Sequence, residues 1–469
     1  MDTLRSFLCA AFVAPTLLHA TQWQVGPGET YTAPSQVASL VGNGDTVNIA
    51  AGTYPSDVTN WTANNLLLRG VGGMAYMESN GNAWGGKAIW VIQGDSTTVE
   101  WIEFSECAVP DHNGAGIRQE GRNLTVRHCY FHDNDDGILT DDVHPSTIRI
   151  EHTEFDHNGS GDTYSHNLYI NHVDSLIFRY NYCHNAYRGH ELKSRANVNL
   201  IEYNRFSNET TGQGIYNVDL SNGGQAYLIG NVLQQGPMAV NGNMVGFGLD
   251  GLSNPGPHEF YAINNTLVNE KTTGAFFNVP ETVLFKVYSN ILAGNGNFMV
   301  YNFPTATDTA GNLRATDISS VSFAAPDQYD HELVPGSPAQ LIGVPAGLAT
   351  SGYPLVALDE YVHPTDFRVR CQQATLDAGA YQLCTTGIEV PTIDAYRLWP
   401  NPTTGVVHFA GHRNTSIQVI DAMGRTVLTA NTKANDTTDL SLTDLPRGPY
   451  TIVLNGATQP TVFRLVLIP

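Results

Sequence analysis

A short pattern recurs along the middle of the chain: an asparagine, any residue, and then an apolar residue. It occurs at residues 181–183, 204–206, 231–233, 265–267 and 290–292. Successive copies lie 23, 27, 34 and 25 residues apart, and Phe104, Phe131 and Phe155 extend the apolar series backwards. A repeat of this length is typical of a solenoid, in which each repeat is one coil stacked on the previous coil. We expect the Asn side chains to form a ladder that holds one turn of each coil.

Composition narrows the class of protein. Of the 469 residues only 14% are charged, and 45 are glycine, which suits a β-rich, turn-rich exported protein. The formal net charge of -21 argues against a general nucleic-acid binder. We expect a monomer. Because export permits disulfides, Cys371 and Cys384, which are close in sequence, are predicted to pair.

The predicted organisation has four parts. Residues 1–20 have the basic start, short apolar run and small final residues of a secretory signal, and the run is too short to span a membrane. An all-β solenoid follows at residues 21–385, then a linker at 386–395. Residues 396–469 contain alternating strands and are predicted to form a small β-sandwich. The protein is therefore expected to be secreted or attached to the cell surface.

The C-terminal part contains the sequence LWPNPTTG at residues 398–405 and a Gly-Arg pair at 424–425. It resembles the C-terminal sorting domain of type IX secretion in Bacteroidota, and the resemblance covers nearly the whole segment. This implies an interaction with the outer-membrane secretion machinery, followed by release or surface attachment. An ordinary accessory β module is the alternative.

A second series of strands predicts a candidate site. Five segments occupy equivalent places in successive coils: residues 116–119, 137–140, 167–170, 191–194 and 214–217. Because side chains alternate between the two faces of a strand, one residue of each segment must point outward. These residues are Arg118, Leu139, Tyr169, Lys193 and Tyr216. Adjacent coils lie about 4.8 Å apart, so Tyr169, Lys193 and Tyr216 should form one exposed column, with Glu191 and Arg195 beside it.

Two aromatic rings around a cation suit a sugar-binding cleft, because rings stack on sugar faces and cations pair with acidic groups. A purely structural ladder of long side chains is the alternative. His166 and His190 directly precede two of the strands, and either could act as an acid or base near neutral pH. Arg118 and Asp219 are further candidates for substrate binding.

An acidic group lies on the preceding coil. It consists of Asp133, Asp135, Asp136, Asp141 and Asp142, with Asp162 nearby in the sequence. Such oxygen ligands could bind Ca²⁺, but they could equally cap turns, and their spacing is not that of an EF-hand loop.

The solenoid, over residues 22–383, resembles the right-handed parallel β-helix superfamily of pectate lyases. The Asn ladder, a Gly-Asp-Thr-Val opening and late Pro-Gly-Ser-Pro and Asp-Ala-Gly-Ala-Tyr sequences carry this resemblance. Residues 192–206 are similar to the Asn-Lys-Ser stretch of the alginate lyase and chondroitinase B family, in which the Lys is the base. Lys193 matches that Lys, whereas Leu192 replaces the preceding Asn. The Arg-His-Gly element that the family has one coil later has no counterpart in residues 216–224.

The resemblance implies an acidic polysaccharide as substrate and cleavage by β-elimination. Lys193 would be the base, and Tyr216, Tyr169 or His190 would supply the acid. Arg195, Arg118 or Ca²⁺ would neutralise the uronate carboxylate, with Tyr169, His166, Glu191 and Asp219 in contact with the sugar chain. Two alternatives stay open. One is a glycoside hydrolase that uses paired carboxylates from Asp135, Asp136, Asp141 and Asp162, or an epimerase on the same fold. The other is a non-catalytic glycan-binding protein or surface adhesin.

Overall fold

The computed structural model describes residues 20–300, 304–371, 373–384, 397–399, 403, 405–410, 416–421, 424–431, 437–455 and 460–467. The predicted secretory signal, except for Ala20, and the predicted linker lie outside these residues. Within them, no helix is both long and apolar enough to cross a membrane.

The described chain is a parallel β solenoid with two long sheets. The larger sheet has 21 strands, two from most coils, and pairs each strand with its equivalent one coil away. Its strands are Gln22–Val25, Thr46–Thr53, Leu67–Glu78, Thr98–Glu100, Ile102–Ser105, Thr125–Arg127, Tyr130–His132, Thr147–Glu151, Glu154–Asp156, Ser175–Arg179, Tyr182–His184, Val198–Glu202, Arg205–Ser207, Gln225–Ile229, Val232–Gln235, Glu259–Ile263, Thr266–Asn269, Leu284–Tyr288, Ile291–Gly294, Ala306–Ala310 and Leu313–Ala315.

The smaller sheet has ten parallel strands, which come in chain order along the solenoid. They are Thr59–Trp61, Ala88–Ile92, Ala115–Gln119, Asp136–Thr140, Leu168–Ile170, Leu192–Ser194, Val218–Leu220, Asn243–Phe247, Ala275–Asn278 and Asn297–Met299. Because every coil contributes one strand in the same orientation, outward side chains of neighbouring coils form rows along this sheet.

The predicted Asn ladder is confirmed. The Asn204 amide donates to the carbonyl oxygen of Phe178 at 2.9 Å and to the side-chain oxygen of Asn231 at 3.0 Å. Asn231 repeats the arrangement one coil later, donating to Ile201 at 2.9 Å and to Asn265 at 3.0 Å. Each buried amide therefore donates to a backbone carbonyl of the preceding coil and to the Asn side chain of the following coil, which is a structural role.

The space between the sheets is filled by one continuous apolar core. The phenylalanines that extend the ladder backwards are fully buried, and their rings stack: Phe104 on Phe131 at 4.9 Å and Phe131 on Phe155 at 5.1 Å. Cys129 and Cys183 are free and buried in this core. A short helix, Ser35–Ala38, packs Val37 into the first coils.

A strap, defined here as residues 323–384 without residue 372, runs back over the larger sheet. It contains the antiparallel pairs Phe323–Ala325 with Asp330–Leu333 and Asp359–Val362 with Asp366–Val369. Short 3-10 helices occur at Ile318–Val321 and Pro326–Gln328. The predicted disulfide between Cys371 and Cys384 is present at its end.

The C-terminal residues form two antiparallel sheets, as predicted for a small β-sandwich. One sheet contains Arg397–Trp399, Val406–Ala410 and Thr437–Ser441. The other contains Thr426–Asn431, Ser416–Asp421, Gly448–Asn455 and Pro460–Leu467. Apolar side chains from both sheets, among them Val407 and Ile417, share one small core.

Candidate functional site

The candidate site lies on the outer face of the ten-stranded sheet. Tyr169 pairs in register with Lys193, and Lys193 pairs with Asp219 on the next strand. The residues that flank Lys193, Leu192 and Ser194, are buried, as expected when side chains alternate between faces. The predicted outward placement of Tyr169 and Lys193 is confirmed, and we call Tyr169, Lys193 and Asp219 the lysine row.

The prediction that Tyr216 lies in the lysine row is wrong. The strand is Val218–Leu220 rather than residues 214–217, so Asp219 takes the place in the row. The reason is a longer turn before the strand. Asn217 belongs to this turn, is fully buried, and donates its side-chain amide to the backbone carbonyl of Gln234, in the larger sheet, at 3.2 Å.

Lys193 lies between a ring and a carboxylate. Its side chain keeps 17% of its surface exposed, and its Nζ atom is 4.0 Å from the Asp250 carboxylate. The same atom is 5.7 Å from the centroid of the Tyr169 ring. The amine is therefore partly exposed on the outer face of the sheet and close to a phenol, the two requirements for a base with a nearby acid.

Arg195 forms hydrogen bonds with three other residues of the site. Its Nε atom donates to the Tyr169 hydroxyl oxygen at 2.7 Å, its Nη2 atom donates to Asp250 at 2.7 Å, and its Nη1 atom donates to Asn222. A cation that donates to a phenol oxygen favours negative charge on that oxygen. The Tyr169 hydroxyl donates to no other residue in the described part of the chain, so it is free to donate to a ligand on this face of the sheet.

Asp219 is a buried carboxyl with an incomplete set of hydrogen bonds. Its Oδ2 atom accepts from the Ser221 hydroxyl at 2.8 Å, while its Oδ1 atom is buried and has no partner among the described residues. Burial raises the pKa of Asp219, and the nearby Lys193 ammonium opposes this shift. An unsatisfied buried oxygen beside the lysine indicates a position for a ligand or an ordered water.

Tyr216 instead ends a row of rings that runs beside the lysine row. The rings of His166 and His190 stack at 4.7 Å, and those of His190 and Tyr216 lie 5.5 Å apart. The Nδ1 atom of His190 accepts the backbone N–H of Tyr216 at 3.3 Å, and that of His166 accepts the N–H of His190 at 3.1 Å. Each neutral imidazole therefore has its proton on Nε2.

The two histidines are not titrating groups near neutral pH. Burial, aided by the Lys193 charge, lowers the pKa of His190 to about 3. Burial also lowers the pKa of His166 well below its usual range. The expectation that either acts as an acid or base near neutral pH is corrected, because both imidazoles are neutral and buried. The Nε2 atom of His190 is 3.7 Å from Asp219.

Glu191 is not a surface residue, contrary to the sequence prediction. It precedes the strand and is fully buried in the turn, where it accepts from Asn167 at 2.5 Å, Asn208 at 2.8 Å and the backbone N–H of Ala186 at 3.1 Å. Burial raises the pKa of Glu191 to about 8. The side chain supports the turn below the site and cannot reach a sugar.

Arg118 lies in the same row as Tyr169 but two strands away, since Leu139 occupies the position between them. Its guanidinium forms an ion pair with Asp141. Arg118 is therefore outward, as predicted, and distant from the lysine.

The acidic group does not converge on one point. Asp135 and Asp162 each accept two backbone N–H groups, and the fully buried Asp136 accepts one. Among the described residues, no three His, Cys, Asp or Glu side chains are arranged to hold a metal ion. Asp135, Asp136 and Asp162 therefore cap turns, the second of the two readings of the sequence.

Sequence reasoning missed Asp250 and Asn222. Both contact Arg195, and Asp250 is 55 residues further along the chain. Asp250 belongs to a loop that follows the strand after that of Asp219 and folds back over it. No spacing in the sequence points to this residue, because loop lengths differ from coil to coil.

Comparisons with known proteins agree with this architecture. Residues 59–233 match the family model described as a right handed beta helix region. The solenoid is a right-handed parallel β-helix. Residues 397–468 match a secretion system C-terminal sorting domain. The C-terminal part of the chain is such a sorting domain, consistent with a secreted or surface-attached protein. No curated protein matches the sequence of the chain.

Three solved structures are similar to this right-handed β-helix. The pectate lyase Pel9A has a TM-score of 0.50 and 11% identity, covering 78% of this chain and 96% of its own. An alginate lyase from Paenibacillus sp. str. FPU-7 has a TM-score of 0.40 and 13% identity, covering 62% of this chain and 98% of its own. A mutant of the PL6 family alginate lyase AlyGC has a TM-score of 0.34 and 14% identity, covering 82% of this chain and 60% of its own. At these identities the likeness concerns the fold.

Proposed function

We propose that this protein is an exported polysaccharide lyase that cleaves uronic-acid-containing glycans by β-elimination in the groove over the ten-stranded sheet. One observation carries the proposal: Lys193 and Tyr169 lie in register on adjacent strands, and Arg195 donates to the Tyr169 hydroxyl at 2.7 Å. An amine, a phenol and a guanidinium close together on one face of the sheet can supply the base, the acid and the counter-charge of an elimination.

The reaction would proceed as follows. The neutral Lys193 amine removes the proton on C5 of the uronate, and the electron pair of that bond forms the C4–C5 double bond. The bond from C4 to the glycosidic oxygen breaks at the same time, and Tyr169 gives its hydroxyl proton to the leaving oxygen. The Arg195 cation stabilises the phenolate that remains, until it regains a proton from water.

The uronate carboxylate needs a positive partner so that the C5 proton becomes acidic. Arg195 already holds one carboxylate, that of Asp250 at 2.7 Å. Asp250 is half-exposed, and a substrate carboxylate would bind beside it or replace it on the guanidinium. Arg118 is too far along the row to serve the same sugar unit. Asp219, with its unsatisfied oxygen, would accept a sugar hydroxyl.

Binding without cleavage is the second candidate, and one observation favours it. The carboxylates of Asp219 and Asp250 both lie beside Lys193. A lysine beside two carboxylates forms a polar surface that can bind sugar hydroxyls and acidic groups without any proton transfer. A hydrolase is less favoured, because the predicted carboxylates are used by backbone N–H groups or by Arg118.

The deciding experiment is a screen of the exported chain against alginate, pectate, glucuronan and glycosaminoglycans. New ultraviolet absorbance from the C4–C5 double bond, absent in Lys193→Ala, is the expected result. New reducing ends without absorbance would mean hydrolysis, and retention on a polymer with neither product would mean binding only. Either result would overturn the lyase proposal.

We further propose that the sorting domain directs this exported protein to the type IX secretion machinery at the outer membrane. The match over residues 397–468 supports this route. Deletion of residues 397–469 should leave the protein in the periplasm, which cell fractionation would detect.

A further inference from the structure

A second feature lies on a different face, away from the groove. Arg205 begins the strand Arg205–Ser207 of the larger sheet and pairs in register with Tyr182 on one side and Val232 on the other. Its side chain points outward, beneath the strap. Only 7% of the residue is exposed, so the cation is more than nine-tenths buried.

The guanidinium of Arg205 is enclosed by aromatic rings. It lies 5.2 Å from the centroid of Tyr182, on the coil, and 5.7 Å from the centroid of Tyr329, on the strap. Aromatic rings can pack on the flat faces of a guanidinium. The N–H groups point outward in the plane of the guanidinium, so they need hydrogen-bond acceptors in that plane.

No protein acceptor satisfies those groups in the described part of the chain. The Nε atom is buried without a hydrogen-bond partner, and Arg205 forms no ion pair with any described carboxylate. Glu209, on the same coil, is engaged by the Tyr182 hydroxyl at 2.5 Å and by the amide of Asn185.

A buried arginine of the strap itself contrasts with Arg205. Arg370 has a side chain that is only 3% exposed, but it lies 3.8 Å from the Glu360 carboxylate and donates to the Ala380 carbonyl at 2.6 Å. A buried charge without an acceptor is strongly unfavourable, so a fold retains one only where something else supplies the counter-charge.

Two more buried groups without partners occur on the strap. The Nδ1 atom of His331 and the Nε2 atom of Gln382 are both buried and have no partner among the described residues. Burial, together with the positive charge of Arg205, lowers the pKa of His331 to about 3. His331 therefore lies in the electrostatic field of Arg205 and is neutral, so it can donate a hydrogen bond without adding charge.

We propose that Arg205, enclosed by Tyr182 and Tyr329, binds a small oxyanion beneath the strap. The chemistry required is a carboxylate, sulfate or phosphate oxygen pair that accepts from the planar guanidinium fork. The anion is either a free inorganic ion or the carboxylate of an acidic sugar.

Thermal unfolding of the full chain tests the proposal. Sulfate, phosphate and glucuronate are each titrated against sodium chloride at matched ionic strength, with the wild type, Arg205→Met and Arg127→Met. Arg127 lies outward on the same sheet and is paired with Glu100, so its variant is the matched control. The wild type and Arg127→Met should gain about 2 °C at ten times the half-saturating concentration. Arg205→Met should not respond.

The three anions distinguish the source of the ligand. A response to all three means a general oxyanion site, and a response to glucuronate alone means an acidic-sugar site. No saturable response in the wild type, or an equal response in Arg205→Met, would overturn the proposal.

A second measurement needs no variant. Crystals of the wild-type protein soaked in selenate should give an anomalous peak within hydrogen-bond distance of the Arg205 guanidinium. Peaks at other positions only would contradict the site. Neither measurement depends on activity in the groove, so failure here and failure of the lyase proposal are separate results.

Discussion

Lys193 and Lys286 lie on different sheets in closely similar immediate surroundings. Their side chains are 17% and 18% exposed. The Lys193 ammonium lies 5.7 Å from the centroid of Tyr169, and the Lys286 ammonium lies 4.8 Å from that of Tyr288. Each also lies within 4.0 Å of one aspartate carboxylate. A lysine with a ring and a carboxylate is therefore not in itself a sign of catalysis.

The difference is in the hydrogen bond of the phenol. Tyr288 donates its hydroxyl to Asp308 at 2.8 Å, and this bond to a carboxylate raises the pKa of the phenol. Tyr169 instead accepts from Arg195 at 2.7 Å. The hydroxyl of Tyr288 is therefore engaged by a carboxylate, whereas the hydroxyl oxygen of Tyr169 lies against a guanidinium cation. The comparison teaches that the partner of the tyrosine, rather than the lysine, distinguishes a candidate acid–base site from a surface ion pair.

The largest expected difference in activity is between the variants that remove one lysine or the other. Lys193→Ala should lower elimination activity by about 10³-fold or more, because the base is lost. Lys286→Ala should retain wild-type activity. Initial rates of ultraviolet absorbance on the best polymer provide the measurement, with melting temperatures as a check on folding. Equal activity in the two variants would end the distinction between the two lysines.

A buried carboxyl is the second difference between the two lysines. Glu191 lies two residues before Lys193, whereas Leu284 lies two residues before Lys286. The pKa of Glu191 is raised to about 8 in the folded state, so its stabilising contribution is present below about pH 4.5 and is lost as the pH rises through about 8. Glu191→Gln removes this titration, and the Asn208 amide, whose side-chain oxygen has no described partner, can turn to accept from it.

We therefore expect Glu191→Gln to gain up to about 5 kcal/mol in the free energy of unfolding, relative to the wild type, between pH 4.5 and pH 9. Denaturant unfolding at a series of pH values measures this difference. Glu29→Gln, which changes an exposed glutamate, is the control and should follow the wild type. A constant offset across the pH range would mean that Glu191 is ionised throughout.

The phenols give the third test. Tyr169→Phe should reduce kcat by about 10²-fold with little change in KM, because the acid acts mainly in the transition state. Tyr288→Phe should leave both constants unchanged. If Tyr169→Phe raises KM alone, the ring binds sugar and another group supplies the proton.

The smallest effect is expected on the larger sheet. There, outward charges alternate in sign from coil to coil, as in the register of Arg69, Glu100, Arg127, Glu151 and Arg179. Arg127→Ala should cost less than about 1 kcal/mol of unfolding free energy, because exposed ion pairs contribute little. Activity should not change. Unfolding at low and high salt measures the cost, which should shrink as salt screens the ladder.

Much of the solenoid was predictable because the signals are local and repeated. Each ladder asparagine occurs at the same place in its coil, and the buried phenylalanines continue the series. The alignment of the smaller sheet was correct from Arg118 to Lys193, where each coil has one short strand. The alignment failed at Tyr216. Ile215 resembles the inward-facing apolar residue of the other segments, but it lies in a turn that continues to Asn217.

The sequence by itself determined the solenoid, its Asn ladder, the sorting domain and the outward direction of Lys193. These follow from periodic patterns that each coil repeats independently. Only the tertiary structure decided the partners of that lysine, the burial of Glu191 and the neutral state of His190. Those depend on loop lengths and on contacts between residues far apart in the chain, such as Arg195 and Asp250. The sequence repeat predicts where each coil turns, whereas the packing of loops on neighbouring coils decides which side chains come into contact.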